Sequence, residues 1–563
     1  MLFSATFLVK KVKKFRICPL VRFGLINSVH LLTRKMKTVK IYLPYYMEMM
    51  TLKKVLSILV CAAMLLSVFC ICGFAADTEY DQPFEAGVLG CERLRIPALL
   101  TLNDGSVMAA ADLRYNHGSD SPQNIDTVVA ISKDGYTNWE YAVPNHFDDC
   151  ADGETDKNSA SFIDPAVIQS KETGRIFLVT DVFPSGGGYP TAKTGTGYVT
   201  VDGVKRLALT DSDNISSFKK FNYYIADFQD GVAPVMTLSG EKTAYTVDTE
   251  YRLYKNGEAI YCAQLGSDGV QVQQTVFSVS ADLTVYLTCY LWMRYSDDNG
   301  KTWSAPVILS EQIKNDNESF LGICPGRGFV TEVDGKERIL FAVYDNAGGK
   351  ENVSTIYSDD NGETWKRGAE TECKLAVGKT SESQIVALPD GTLRMFARNA
   401  YDFVAYADSR DGGVSWSTFK ADLDLKANGN CMLSFINTSK EIDGKPVVLG
   451  SFSSDTEERA DGIVRLGLVG ENNDIDWIST YHINDGFFAY SCLTELSDGN
   501  IGLLYEDEAA HISYMVLTVS DSGELSEING NNIDYQYSPD FWRKLLDAIK
   551  AIIVKLQVLF DVI

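Results

Sequence analysis

Histidine is scarce in this sequence of 563 residues, with five copies in all. Only His117, His146, His482 and His511 fall after residue 76, and none pairs with another at metal-ligand spacing. That leaves neither a zinc centre nor a histidine-based triad to carry chemistry. Cysteine pairs are missing too. Beyond residue 76, Cys91, Cys150, Cys262, Cys289, Cys324, Cys373, Cys431 and Cys492 are scattered, with no Cys-x-x-Cys among them. No zinc ribbon or disulfide scaffold is indicated, while individual bridges stay open. No metal and no cofactor is expected. Positive charge is short as well. The chain carries 51 Lys+Arg against 75 Asp+Glu, and twelve of those bases but only one acid, Glu48, precede Ala76. The remainder holds 39 bases and 74 acids. A body this acidic repels a polyanion at long range, so nucleic acid is excluded as a partner.

Residues 1–76 differ from the rest. After the basic extension, Lys53-Lys54 precede an apolar and small-residue run from Val55 to Phe74, and Gly73-Phe74-Ala75 offers small residues where a signal peptidase would cut. The expectation is a secreted or cell-surface protein with a start at Met49 or Met50. The alternative is a retained N-terminal membrane anchor, since the run approaches spanning length.

From 77 to 525 the chain reads as all-β. Short apolar runs alternate with turn signals, and no long amphipathic helix occurs before residue 538. Strand–turn–strand pairs centre on Asp104-Gly105, Thr173-Gly174, Asp334-Gly335, Asp390-Gly391, Asp443-Gly444 and Asp498-Gly499. Six units of about 50 residues predict a six-bladed β-propeller, a ring in which each sheet buries its faces against its neighbours. An acidic turn punctuates the units. Ser296-x-Asp298-x-Gly300-x-Thr302-Trp303 recurs as Ser358-x-Asp360-x-Gly362-x-Thr364-Trp365 and Ser409-x-Asp411-x-Gly413-x-Ser415-Trp416, with Ser132-x-Asp134 and Trp139 a degenerate copy. Asp and Ser can bond turn amides there and Gly permits the reversal, so these turns are structural.

Two segments stand apart. Residues 188–286 form a small β-rich insertion in the second unit, including a hairpin turn at Asn256-Gly257. It either walls the active site or decorates the edge. Residues 526–563 contain a C-terminal amphipathic helix that starts at Ser538-Pro539 and carries Trp542, Leu545, Leu546, Ile549, Ile552 and Ile553 at helical spacing. That helix either packs on the propeller or a sister subunit, or attaches the protein to a surface.

Leu94-Arg95-Ile96-Pro97 opens the first unit, and the acidic turns follow it across the body. Together these resemble the bacterial sialidase family, with its Arg-Ile-Pro motif, Asp boxes and six-bladed propeller, over about 85–520. The resemblance implies an exo-sialidase acting on terminal sialic acid of glycans, glycoproteins or glycolipids by a retaining mechanism. A sialoside bears a carboxylate on its anomeric carbon, which suits the planar fork of arginine. By resemblance Arg95, Arg398 and Arg459 form that clamp, with Arg114 a further substrate contact and Asp164 facing the N-acetyl or glycerol side. The same carboxylate repels an acidic nucleophile, and sialidases are the tyrosine exception among glycosidases. Tyr490, in Ala489-Tyr490-Ser491-Cys492, matches the nucleophile, Glu382 its partner, and Asp120 the general acid. Transfer to another glycan, an anhydro product from internal attack, and a non-catalytic sialic-acid lectin are the alternatives.

Overall fold

A computed structural model describes residues 80–147, 159–211, 220–265, 270–278, 281–371, 379–508 and 510–528. The basic extension, the apolar leader and the helix expected after Ser538 lie outside them. The described residues are all-β. Among them only Ser310–Ile313 is α-helical, with 3₁₀ turns at Val88–Gly90 and Ala347–Gly349.

Four of the sheets hold four or five strands each, all antiparallel. One joins Leu321–Ile323 and Phe329–Val333 to Lys336–Asp345, followed by Asn352–Ser358 and Lys366–Arg367. The next runs Thr380–Ala387, Leu393–Asn399, Val404–Ser409, Lys420–Asp422. Ser434–Ile442, Lys445–Ser453, Ala460–Val469 and Ile475–Phe487 form the third, and Ser491–Glu495, Ile501–Glu508, His511–Val519 and Leu525–Glu527 the last. A larger sheet holds two further antiparallel runs. Leu94–Thr101, Val107–Arg114, Ile125–Ser132 and Glu140–Asn145 make one; Ser161–Gln169, Ile176–Phe183, Tyr290–Ser296 and Val307–Ile308 make the other. A single parallel pairing, Ile125 with Ser161, connects them.

The arrangement is propeller-like, and the sequence shows why. Val107–Arg114 and Ile176–Phe183 are buried at every position, because the sheets stack face to face and leave neither side to water. One core cluster sets Met108 and Val129 against Phe177 and Val179; another sets Val447 and Val464 against Leu493 and Leu503. Fully burying each such side chain stabilises the fold by about 1.5–3 kcal/mol. The ends of the chain meet in this packing. Leu99 N–H donates to Cys492 Sγ (3.2 Å) and Thr101 N–H to Thr494 Oγ1 (3.0 Å), so the first strand lies beside the last sheet. Gln82 adds two bonds with the backbone of Tyr514, at 2.9 and 2.6 Å.

The acidic turns share one bonding scheme. Ser296 Oγ donates to Asp298 and accepts from Gly300 N–H, both at 2.8 Å, while Asp298 takes the amide and hydroxyl of Thr302 at 2.9 and 2.6 Å. Ser358/Asp360/Gly362/Thr364 repeats it at the same four distances. These bonds to Thr302 and the turn hold Asp298 down at about 2. Glycine is required there on two counts. At Gly362 φ is +83°, and a Cβ would stand 2.3 Å from Phe177 on the neighbouring run. Trp365 then packs between Phe177 and Phe341.

The Asp-Gly turns divide into two kinds. At Asp334-Gly335, Asp443-Gly444 and Asn256-Gly257 both residues have positive φ, the twist-matched two-residue hairpin. At Gly105, Gly391 and Gly499 only the glycine does. There the loop is longer: Gly105 N–H bonds Leu102 O, and Leu102 N–H bonds Ser106 O. Asp104 instead accepts from Ser106. The unit expected around Asp334-Gly335 differs more. Its inner strand is broken, since Leu321–Ile323 and Phe329–Val333 both pair with Lys336–Asp345 while Gly326–Arg327 leaves to pair with Ser161–Gln169. Pro325 and Gly326, at φ +101°, allow that departure. Between Phe183 and Tyr290, which belong to adjacent paired strands, the chain forms a separate sheet from Tyr198–Val201 to Thr284–Val285 and a two-stranded ribbon.

Gly362→Ala and Gly335→Ala both place a methyl at positive φ, costing about 1–2 kcal/mol, but nothing lies within 4 Å of Gly335. Gly362→Ala should cost a further 1–3 kcal/mol or so from overpacking. Urea denaturation of the two variants reads the difference; equal losses would remove the turn from the packing between sheets.

Candidate active site

Antiparallel topology explains where the polar residues gather. The start of each first strand and the end of each second strand lie at the same edge of a sheet. Arg95, Asp164 and Glu382 sit on first strands and Tyr490 just before one. Arg114 and Arg398 lie at the ends of second strands. Arg459 immediately precedes the third strand of its sheet, and Asp120 lies in the loop after Arg114.

Local backbone irregularities aim three of these side chains. The register shifts between Arg95 and Ala98, between Ile163 and Ala166, and between Thr380 and Ser383. Bulges of this kind re-aim a side chain. Ile96 (φ +59°) and Asp164 (φ +65°) each precede a proline at such a shift. The Ile96 amide donates to Glu506 Oε1 (2.9 Å), which accounts for the Arg-Ile-Pro segment as a built corner.

Tyr490 is 6% exposed and Glu382 3%. The phenol donates to Glu382 Oε1, and Arg398 Nη1 donates both to Glu382 Oε2 (2.6 Å) and to the Tyr490 oxygen (2.9 Å). The guanidinium carbons of Arg95 and Arg459 stand 5.5 and 5.3 Å from the centre of the Tyr490 ring. Burial first, then the Glu382 charge, push the phenol well above its ordinary range, against Arg398 and Arg459. The hydroxyl is therefore protonated at rest, with its acceptor in place.

Asp120 lies on the other side of Arg95. Its Oδ1 takes Arg114 Nη1 at 2.8 Å and stands 3.6 Å from Arg95 Nη1, and its side chain is 68% exposed. Burial opposes ionisation there, but Arg114 and then Arg95 outweigh it and hold the carboxyl below its usual range. Asp112 fixes Arg114 through Oδ2 (2.7 Å) and receives the Asp164 amide on Oδ1 (3.1 Å). Asp112 is pushed up to about 7 by burial. Asp164 rises well above the carboxylate range, through burial and then the charges of Asp181 and Asp112. A neutral Asp164 can donate a hydrogen bond as well as accept one.

All eight residues expected at the site thus lie in one connected cluster. Sequence reasoning missed those that hold them. Glu506, fully buried, clamps Arg95 at 3.0 and 3.1 Å; Asn430 O takes Arg459 Nη2 at 2.8 Å; Asp181 binds the Ile323 amide at 2.8 Å. A signal was available. Asp112, Asp181 and Glu506 are acids near the ends of apolar second strands, as Arg114 and Arg398 are bases there. A charge at that position faces the site.

Two arginines of this cluster keep unused donors. Arg398 Nε has no hydrogen-bond partner although buried, and Arg459 bonds only a carbonyl oxygen. Spare guanidinium capacity around a buried phenol fits an incoming carboxylate.

Comparison with known proteins agrees. A domain model described as a BNR repeat-like domain matches residues 270–503. An anhydrosialidase of Macrobdella decora is 33% identical over 465 residues, covering 76% of this chain and 60% of that protein. An intramolecular trans-sialidase of Ruminococcus gnavus matches at 32% identity and a TM-score of 0.70, covering 78% of this chain and 98% of that one. The chain belongs to the sialidase family. A leech intramolecular trans-sialidase, solved with 2,7-anhydro-Neu5Ac, matches at 30% identity and a TM-score of 0.71 over 80% of this chain and 71% of that one. The chain spans about three-fifths of the length of the curated relatives it matches.

Within this sialidase-family site Glu506 is the anchor of Arg95. Glu506→Ala should cost about 3–5 kcal/mol, because it leaves a largely buried guanidinium without its counter-charge. Asp507→Ala, one residue on, should cost under about 1 kcal/mol. Similar losses for the two would show that Glu506 does not hold the site.

Proposed function

We propose that this chain is an exo-α-sialidase with Tyr490 as nucleophile. One observation carries the reading: a buried phenol bonded to both Glu382 and Arg398, flanked by two further guanidiniums. Arg95, Arg398 and Arg459 take the sialoside carboxylate. Glu382 accepts the phenol proton as the oxygen attacks the anomeric carbon, and the bond to the leaving sugar breaks as Asp120 supplies its proton. The substrate's negative charge offsets Arg95 and Arg114, the two groups that hold Asp120 below its usual range, and so lets Asp120 carry a proton. In the second half Asp120 takes a proton from the acceptor, the tyrosyl bond breaks, and Glu382 returns the proton to the phenol. Two displacements retain the anomeric configuration.

The acceptor decides the product. Water gives free sialic acid. A hydroxyl on the sugar's own glycerol chain gives an anhydro sugar, and the likeness to an anhydrosialidase and to intramolecular trans-sialidases favours this second reading. The rest of the proposal follows the sequence: six blades carrying the Arg-Ile-Pro motif and Asp boxes, export by the apolar leader, and surface or subunit association through the C-terminal helix.

Incubation with a sialyl-lactose, followed by mass analysis, should release lactose with either free sialic acid or a product lighter by one water. Release of neither would contradict the proposal. Asp120→Ala should lower the first-step rate on a sialyl-lactose by about 10²–10⁴-fold. The fall should be much smaller on an aryl sialoside, whose leaving group needs no proton. Equal losses would take Asp120 out of the mechanism.

A further inference from the structure

The segment Cys324–Gly328, which leaves its own sheet, also divides the interior. A Cβ on Gly326 would meet Met432 Cε at 3.0 Å, Gln384 Nε2 at 3.3 Å and Cys492 Sγ at 3.5 Å. Met432 in turn packs with Ile96 and Tyr490. Beneath this floor lies a cavity of about 390 Å³. It is bounded by the far ends of the strands that carry the active site. Thr101 and Ala387 line it, and Thr101 is six residues beyond Arg95 along one strand, a distance of about 20 Å.

One charge in this cavity is unmatched. Arg327 lines it, and among the described residues its side chain makes one hydrogen bond, from Nη1 to Leu493 O at 3.3 Å. No carboxylate among the described residues pairs with it. Burial pulls its pKa down, and the Cys492 thiol only partly opposes that. Lys171 lines the same cavity. Glu337 accepts from Ser170 Oγ and from the backbone amides of Lys171 and Glu172. The polar amides on the wall are spent on the backbone: Asn437 exchanges two bonds with Ala387, and Gln169 bonds Asn103 N–H and Gly174 O. Thr101, Asn103 and Thr331 add polar atoms, while Phe329, Val330, Ile385 and Phe435 form an apolar part of the wall. Arg327 is half-buried, and a guanidinium facing a cavity walled in part by aromatic and aliphatic side chains matches a carboxylate on an uncharged body.

We propose that this cavity is a second ligand site, separate from Tyr490, which takes a small organic monocarboxylate with an apolar body on Arg327. The inference does not depend on the sialidase reading. The probe is 4-bromobenzoate, with 4-bromobenzyl alcohol as the neutral control. In co-crystals the anomalous bromine signal should appear beside Phe329 and Phe435, with the carboxylate on Arg327; bromine found only near Arg398, or nowhere, overturns the proposal. By calorimetry Arg327→Met, an apolar replacement of similar length, should weaken binding at this site by about 10- to 100-fold. The alcohol should bind the wild type no better than it binds the variant. Equal carboxylate affinities in wild type and Arg327→Met would also overturn it. Should that variant fail to fold, Arg327→Lys keeps a charge but loses the fork, and the crystallographic result decides alone.

Discussion

The hydroxyl of Tyr490 is held between a carboxylate and a guanidinium where almost no water reaches. Neither charge could be buried there without the other, since an isolated ion in such surroundings costs several kcal/mol. The triad of Glu382, Arg398 and Tyr490 therefore stands or falls together, and it draws in the rest. Arg95 needs Glu506, Arg114 needs Asp112, and Asp120 is held by both arginines. Arg114 and Asp112 share one strand, whereas Arg95 and Glu506 come from different sheets and are 411 residues apart. Pairing at such separation requires the first strand to lie beside the last sheet, which the bonds from Leu99 and Thr101 to Cys492 and Thr494 secure.

This dependence gives the scaffold its logic. Sheets buried on both faces supply rigidity, glycines in the acidic turns let neighbouring sheets approach, and bulges at Arg95, Asp164 and Glu382 turn side chains inward. Function then needs only charged residues at one edge of each sheet. The strong pKa shifts at Tyr490, Asp112 and Asp164 are the electrostatic consequence of placing them there, as expected where chemistry is done.

Much of this was legible in the sequence, for definite reasons. Apolar runs with Asp-Gly turns fixed the strands, and the repeated Ser-x-Asp-x-Gly pattern located the acidic turns, because local bonds set both. The kind of turn was less legible: Asp104 and Asp334 precede glycine alike, yet only Asp334 has positive φ, since the loop length depends on strand register. The departure of Gly326–Arg327 from its sheet was invisible, as its partner strand, Ser161–Gln169, lies more than 150 residues away. The named site residues came from motifs shared with a family. Their supports, Glu506, Asp112 and Asp181, belong to no motif and emerge only from the position that they share on second strands.

The central claim is that the Tyr490 oxygen becomes bonded to the sugar. Rapid quenching of the Asp120→Ala protein with an aryl sialoside, followed by peptide mass mapping, tests it directly. That variant can form the linkage without a general acid but lacks the base that would release it. A sialyl adduct on the peptide containing Tyr490 is the predicted result. An adduct on any other residue, or turnover of the aryl sialoside with no adduct at any time point, would contradict the account.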